Sequence, residues 1–254
     1  MLKVILIGTG NISKFLFDVL NAHPSVNLVQ VVGRNKQALE YFAKFTPVSR
    51  NFEKLMEADI YILAINDSAI SEVAHQLDIN KGMLVHTAGS VSMEALPAKL
   101  RRGVLYPLQS LSGSIPEKIR EIPLCVEASS EEDYQLLEKL AYCISNRVEH
   151  INSEERRQLH LAAVFANNFS NHMFCLASEI CKDHGVPFDL LRPLIRESCN
   201  KIMQLTPHEA QTGPARRGDQ ETIDEHLEML KESRLQKIYS TLSESIQTTY
   251  GKEL

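Results

Sequence analysis

The stretch VILIGTGNISKFLFDVL, residues 4–20, sets two glycines, Gly8 and Gly10, where a β-branched run gives way to a helix-like pattern. Leu2 to Ile7 is continuous, aliphatic and of strand length, the pattern of a strand covered on both faces in a parallel sheet. From Asn11 onward, Ile12, Phe15, Leu16, Val19 and Leu20 recur at helical spacing until His23-Pro24 stops them. Gly8 and Gly10 therefore lie in a strand-to-helix turn. Glycine there permits a tight turn and the close approach of a pyrophosphate, while the helix N-terminus offers free N–H groups and a positive dipole end. The third small position is Ser13, where a dinucleotide fingerprint has Gly or Ala. Alone, the pattern also describes an ordinary glycine turn.

The residues downstream raise its weight. Residues 27–32 read as a second strand ending in GRNKQAL, with Arg34 twenty-six positions past Gly8, near where a dinucleotide fold places its ribose-reading residue. The acid that would bond a ribose 2′-hydroxyl is absent. Arg34, Asn35 and Lys36 instead supply charge and donors suited to a 2′-phosphate, which points to NADP rather than NAD. The plain alternative is a solvated start of the next helix. Further strands are expected at 59–65, 83–86, 104–106, 123–127 and 147–151, with helices at 68–77 and 130–145. This alternation predicts a doubly wound, mainly parallel α/β Rossmann sheet over residues 1–151, with ligand at the strands' C-terminal ends. Asn66 in NDSA, His86, Ala88, Gly89 and Ser90 in HTAGS, and Tyr106 and Gln109 in YPLQSLSGS fall at those ends. The same residue types are common in turns.

Past Ile151 the pattern is all helical, giving a second domain at 152–254 for substrate binding and dimerisation. Asn152 and Glu155 have N-cap and N3 spacing and open a helix expected to run to about residue 183. Within it, QLHLAAVFANNFSNHMFCLAS, residues 158–178, contains no Asp, Glu, Lys or Arg. At about 100° per residue, Leu161, Ala162, Phe165, Ala166, Phe169, Met173 and Leu176 form one side, and His160, Asn167 and Asn171 align on the other. Such a helix suits the centre of a domain, with its polar stripe toward a cavity or another subunit, or else an exposed face of neutral polar residues. The loop TGPARRGD, residues 212–219, places Arg216 and Arg217 where they could clamp a carboxylate or a phosphate; Arg217 paired with Asp219 is the alternative.

Composition excludes several classes. With 254 residues and 44% apolar content the chain can bury a sizeable core, and a net charge of −5 without a long basic tract argues against nucleic acid or anionic membrane as a partner. The apolar run before Gly8 is too short for a signal peptide or a membrane span, so a cytoplasmic protein is expected. Five cysteines without a CxxC pair read as buried thiols, with no disulfide framework and no metal site. None of the seven tyrosines precedes a lysine at the Tyr-x-x-x-Lys spacing of short-chain dehydrogenases. A nucleophile elbow and a phosphate-binding GxxxxGK[ST] loop are also missing. S-adenosylmethionine is disfavoured because it has no 2′-phosphate for Arg34 and Lys36.

The ordered motifs IGTGNIS, GRN, AINDSAI, HTAGS, YPLQSLS, LHLAAVFANNFSNH and TGPARRGD resemble the family that joins an N-terminal Rossmann-like domain to a C-terminal domain of unknown function, number 2520. The resemblance spans nearly the whole chain. More distantly the chain is similar to pyrroline-5-carboxylate reductase, ketopantoate reductase and the hydroxyacid dehydrogenases, with their 6-phosphogluconate dehydrogenase-like helical domain. That kinship implies NADP-linked hydride transfer and a homodimer formed through the helical domain.

The related hydroxyacid dehydrogenases carry a Lys-x-x-x-Asn pair on the first long helix of that domain, the lysine donating a proton. Here the residues four before Asn167 and Asn168 are Ala163 and Val164, so that acid is missing. His160, one turn earlier, is the expected substitute and His86 its rival. The expected reaction is hydride transfer between NADP(H) and a small, carboxylate-bearing carbonyl or imine. Gly8, Gly10, Asn11 and Ile12 would hold the pyrophosphate. Arg34, Asn35 and Lys36 would read the 2′-phosphate, and Asn66, Ala88, Gly89 and Ser90 would border the nicotinamide. His160, Asn167 and Asn171 would face the substrate, with Tyr106, Gln109, Arg216 and Arg217 helping to bind it. The alternative is a noncatalytic NADP-binding sensor or assembly module.

Overall fold

The computed structural model describes residues 1–111 and 118–251, so Ser112, Gly113 and Ser114 of the YPLQSLSGS motif lie outside the described residues. Among those described, eight strands form one sheet: β1 Leu2–Ile7, β2 Val26–Val32, β3 Val48–Ser49, β4 Ile60–Leu63, β5 Met83–His86, β6 Arg101–Pro107, β7 Leu124–Ala128 and β8 Val148–His150. Their order is β3-β2-β1-β4-β5-β6-β7-β8, and every pairing is parallel except β6 with β7. The order reverses at β1, whose neighbours are β2 and β4, and this switch point opens a crevice at the C-terminal strand ends.

Alternation along the central strands explains why the sheet is covered twice. Val4 and Leu6 of β1, with Ile60 and Ile62 of β4, join a cluster containing Phe15, Leu16 and Leu20 of α1 (Asn11–Asn21). Ile5 and Ile7, with Tyr61 and Leu63, face the opposite cluster. After the short α2 (Lys36–Leu39), α3 (Ile70–Gln76) lays Ile70 and Ala74 into that second cluster, and α4 (Glu131–Ile144) adds Leu137, Leu140 and Ile144 to the first. Burying each large aliphatic side chain contributes about 1.5–3 kcal/mol, so the two-sided strands hold the sheet centre rigid.

The structure departs from the expected elements in three places. The strand β3 has two residues, too few for periodicity to reveal. The strand β6 begins at Arg101 rather than Val104, because Arg101 lies at the sheet margin and pairs through Nε with Asp133 Oδ1 of α4 at 2.5 Å. The long helix is interrupted: α5 (Ser153–Ala163) passes into a π turn at Val164–Phe169 before α6 (Ser170–Asp183). Ser170 Oγ donates to Phe165 O at 3.3 Å within that turn. A π turn inserts about one residue, so α6 is rotated by about 100° relative to an unbroken helix. The expected alignment of Asn171 with His160 is corrected accordingly. The apolar side is also exposed rather than covered: Leu161 is 60%, Phe165 63% and Phe169 48% accessible.

The chain divides into two compact units, Met1–Met173 and Phe174–Leu254, so the start of the long helix groups with the sheet. The second unit holds the rest of α6 and α7 (Arg192–Gln204), α8 (Pro207–Ala210), α9 (Pro214–Arg217), α10 (Gln220–Met229) and α11 (Ser233–Tyr250). Caps set its boundaries: Thr206 and Glu209 form a capping box on α8, and Asp219 accepts from Thr222 N to start α10. Among the described residues of this unit the buried apolar ones are Leu176, Ala215 and Ile223, while Leu190, Leu194, Ile202, Met203, Met229 and Leu242 are exposed. The cysteines also differ from expectation. Cys125 is buried, Cys143 and Cys181 are half-buried, and Cys175 and Cys199 are exposed because they sit on thinly covered helices. Among the described residues no helix is long and apolar enough to cross a membrane.

Candidate functional site

The first wall of the site is the turn between β1 and α1. Gly8 has φ +127°, and a Cβ there would enter the van der Waals shell of the Ala64 carbonyl, so the ends of β1 and β4 meet only because the residue is glycine. Ser13 Oγ donates to Gly8 O at 2.7 Å, closing the turn from within the helix. Gly10 is the N-cap of α1 without a side-chain cap, and a Cβ on it would point into open space. The first turn of α1 carries no acid, so its unpaired N–H groups and dipole end face outward unopposed. Asn11 Nδ2 donates to Leu111 O at 3.0 Å, and Ile12 packs against the core, which leaves its backbone for ligand contact.

At the end of β2, Arg34 and Lys36 are exposed. Asn35 behaves differently. Its Oδ1 accepts from Ala38 N at 3.1 Å and caps α2, so its side chain is engaged by the helix. At the end of β4, Asn66 is exposed, and the neighbouring Asp67 Oδ2 accepts from Ser90 Oγ at 2.5 Å, joining the loops after β4 and β5.

Those loops meet a pair from two other elements. Tyr106 of β6 and His160 of α5 are linked, hydroxyl to Nδ1, at 3.1 Å, with the rings edge to face at 5.9 Å between centroids. Both are half-buried. They press on Gly89: a Cβ there would stand 2.6 Å from His160 Nδ1 and 2.8 Å from Tyr106 Cζ. Burial, with smaller contributions from Cys125 and Asp67, raises the Tyr106 pKa above its usual value, so the hydroxyl stays protonated at neutral pH. A protonated hydroxyl can donate to His160 Nδ1, and in that tautomer the imidazole proton sits on Nε2.

His160 is held by its own helix. Arg156, four residues earlier on the same face, is fully buried. It donates through Nη1 to Glu127 Oε2 at 2.6 Å and through Nη2 to Val91 O at 2.6 Å and Ser153 Oγ at 3.1 Å. Ser153 Oγ also donates to Glu127 and accepts from Met93 N. This network pins the start of α5 to β7 and to the loop after β5.

His86 is displaced from the role of acid. It is 0% exposed; its Nδ1 accepts from Ala88 N at 3.2 Å, and its buried Nε2 has no hydrogen-bond partner. Burial first, and the Arg156 charge second, lower its pKa to about 4, so it is neutral and shielded under the loop.

The site thus brings together the glycine turn, Asn66, Ala88, Gly89, Ser90, Tyr106 and His160. Asn167 and Asn171 are exposed on the π turn and beyond it. Gln109 turns back on its own loop, accepting from Ser110 N at 2.9 Å. Arg216 and Arg217 belong to the second unit, where Arg216 lies 4.6 Å from the Tyr250 ring with Nη1 buried and unpartnered, and Arg217 is 3.7 Å from Asp219. Sequence reasoning missed Arg156; its spacing of four from His160 was the available signal. It also missed Asp67 and the pairing of Tyr106 with His160, because contacts between distant elements leave no periodic trace. Among the described residues no group of three His, Cys, Asp or Glu could hold a metal ion.

Residues 122–246 match the family described as Domain of unknown function (DUF2520). A protein from Bacteroides fragilis, provisionally named an NADP oxidoreductase, is 38% identical with a TM-score of 0.89, over 97% of this chain and 98% of that one. A Thermotoga maritima protein is 23% identical with a TM-score of 0.75, over 98% and 99% of the two chains. The 1-pyrroline-5-carboxylate reductase of Streptococcus pyogenes shares the fold at 16% identity and a TM-score of 0.66, over 97% and 98%. No curated relative matches the chain.

Proposed function

The chain belongs to the Rossmann-like NADP oxidoreductase family that carries the domain of unknown function 2520, and from that premise we propose that it is an NADP-dependent reductase of a small, carboxylate-bearing carbonyl or imine. The observation that carries this reading is the Tyr106–His160 pair, seated on Gly89 at the same sheet edge as the Gly8–Gly10 turn. The residues fit the cofactor. Gly8 and Gly10 leave room for a pyrophosphate at an uncapped helix end, and the exposed Arg34 and Lys36 await a 2′-phosphate. Bound there, NADP(H) supplies the hydride.

The chain supplies the proton. With the Tyr106 hydroxyl donating to Nδ1, the Nε2 proton passes to the substrate oxygen or nitrogen as its carbon receives the hydride, while the tyrosine proton moves onto Nδ1 and is replaced from water. The imidazole thus ends neutral, and one hydride plus one proton saturate the double bond. Asn167 offers an exposed amide for orientation.

We also propose a homodimer. The exposed row Leu161, Phe165 and Phe169, and the exposed apolar residues of the second unit, are more than an isolated chain leaves to water, and a second copy would cover them. Light scattering at low micromolar concentration checks this, and a clean monomer counts against it.

The catalytic reading is tested by NADPH oxidation against a panel of cyclic imines and 2-oxo acids, alongside calorimetric titration of NADPH and NADH. Tighter binding of NADPH and turnover of at least one compound are expected. A protein that binds neither cofactor would overturn the reading.

A further inference from the structure

We infer that Arg50 is the second half of the 2′-phosphate clamp, closing on that phosphate opposite Arg34. The inference rests on the NADP reading above and concerns a residue outside the usual turn after the second strand.

The strand β3 runs parallel to β2, with Val31 opposite Val48 and Val32 opposite Ser49, and Gly33 N donates to Ser49 O at 3.0 Å. The next residues on the two strands are therefore brought side by side at the C-terminal sheet edge, where the cofactor's adenosine end belongs. Arg50 Nε donates to Arg34 O at 3.1 Å, which holds the guanidinium across the end of β2 and leaves both Nη groups free. Among the described residues, Arg34, Lys36 and Arg50 make no ion pair with any carboxylate. Several other arginines are paired, as Arg101 is with Asp133 and Arg156 with Glu127.

Arg50 is thus tethered to the backbone of Arg34, and an anion bound at this edge would offset the positive charge that the two arginines carry there. A phosphate monoester supplies a nearly dianionic, three-oxygen acceptor of the right kind, matched by planar forks from two sides. Arg50 also forms part of the wall of a cavity of about 680 Å³, with Asn51, Phe52, Glu53 and Gln76, so its outer edge meets open space rather than packed protein. A two-residue strand that buries little adds slight stability to a sheet. Its consequence is to deliver Arg50 to this position.

The test is a calorimetric titration of NADPH and NADH into the full-length protein and into Arg34→Ala, Arg50→Ala and the double variant, each checked for an unchanged thermal transition. Arg50→Ala is expected to weaken NADPH at least tenfold and leave NADH within twofold. Arg50→Lys should recover part of the loss, because it keeps charge without the fork. The double variant should lose all preference for NADPH. Equal weakening of both cofactors by Arg50→Ala, or no weakening of either, overturns the clamp while leaving the NADP reading intact. A native protein that does not distinguish NADPH from NADH overturns that reading and the clamp together, and the native titration alone shows which has failed.

Discussion

Tyr106→Phe removes one oxygen atom from the site and keeps the ring on β6. The hydroxyl makes a single part-buried hydrogen bond, 3.1 Å to His160 Nδ1, so its loss should cost about 1 kcal/mol of stability, a small part of the roughly 5–15 kcal/mol of an ordinary domain. The effect on turnover should be far larger. Without the hydroxyl, Nδ1 is free to take the imidazole proton, and Nε2 then presents a lone pair where a donor is required. Loss of a general acid costs about 10²–10⁴ in rate, or about 2.7–5.4 kcal/mol of transition-state stabilisation. The two scales differ enough to separate catalysis from folding. NADPH oxidation with the best compound of the panel, NADPH titration and urea unfolding are measured on Tyr106→Phe, on His160→Gln and on the double variant. Glutamine is chosen over alanine so that no cavity unfolds the helix. Both single variants should bind NADPH normally and lose turnover, and the double variant should lose little more, because the two side chains act as a unit. Turnover within twofold of native in Tyr106→Phe, or losses that multiply in the double variant, would refute the coupling.

Three further perturbations test the support beneath that pair. Arg156→Leu leaves Glu127, with its side chain 12% exposed, as an unpaired carboxylate and should cost about 3–5 kcal/mol in urea unfolding; a loss below about 1 kcal/mol would mean that the pair is idle. His86, with its folded pKa lowered to about 4 against about 6.5 in the unfolded chain, takes up its proton on unfolding between those values, so its contribution is complete above pH 6.5 and lost as pH falls toward 4. The difference is on the order of 3 kcal/mol, and His86→Gln should flatten the stability profile between pH 6.5 and 5; an unchanged slope would mean that His86 titrates normally. Gly89→Ala puts a methyl group 2.6 Å from His160 Nδ1 and 2.8 Å from Tyr106 Cζ, so it should cost about 1–3 kcal/mol by overpacking and reduce turnover as Tyr106→Phe does, and native turnover would show that the contact relaxes freely.

The sheet is legible in the sequence because its central strands are apolar on both faces: Leu2 to Ile7 and Met83 to His86 stand out as runs and appear with those bounds. The glycine turn is legible for a related reason, since Gly8 is needed where β1 meets the backbone of Ala64. The strand β3 is not, because a two-residue strand has no period and its pairing depends on β2 being in place. The π turn is equally hidden. Val164–Phe169 has ordinary helix-forming composition, and the hydrogen-bond register that widens there is chosen by packing rather than by residue type. Hence helical periodicity holds along the helix that carries His160 up to the turn and fails beyond it. Asn35 has a structural role that its sequence context hides. Its basic neighbours suggest a phosphate ligand, and an Asn before a short helix also caps a backbone N–H through its side-chain oxygen.

The absent lysine at positions 163 and 164 takes on a physical meaning from the same geometry. Val164 is where the π turn begins, so an acid placed there would ride on the least regular part of the helix, where the backbone register is locally re-formed. His160 lies before the turn. It sits one helical turn after Arg156, whose three hydrogen bonds fix α5 to Glu127, Val91 and Ser153, and its ring is stopped by Gly89 on one side and oriented by Tyr106 on another. A proton donor needs its heavy atoms placed to within a few tenths of an ångström, and side chains achieve that when neighbouring packing and hydrogen bonds lock their rotamers. On the proposed reading, an acid at His160 rather than on the π turn depends on the sheet's geometry instead of the helix's own. All of its constraints then come from the first unit, and the exposed apolar face that begins at Leu161 is left for the proposed association rather than for chemistry.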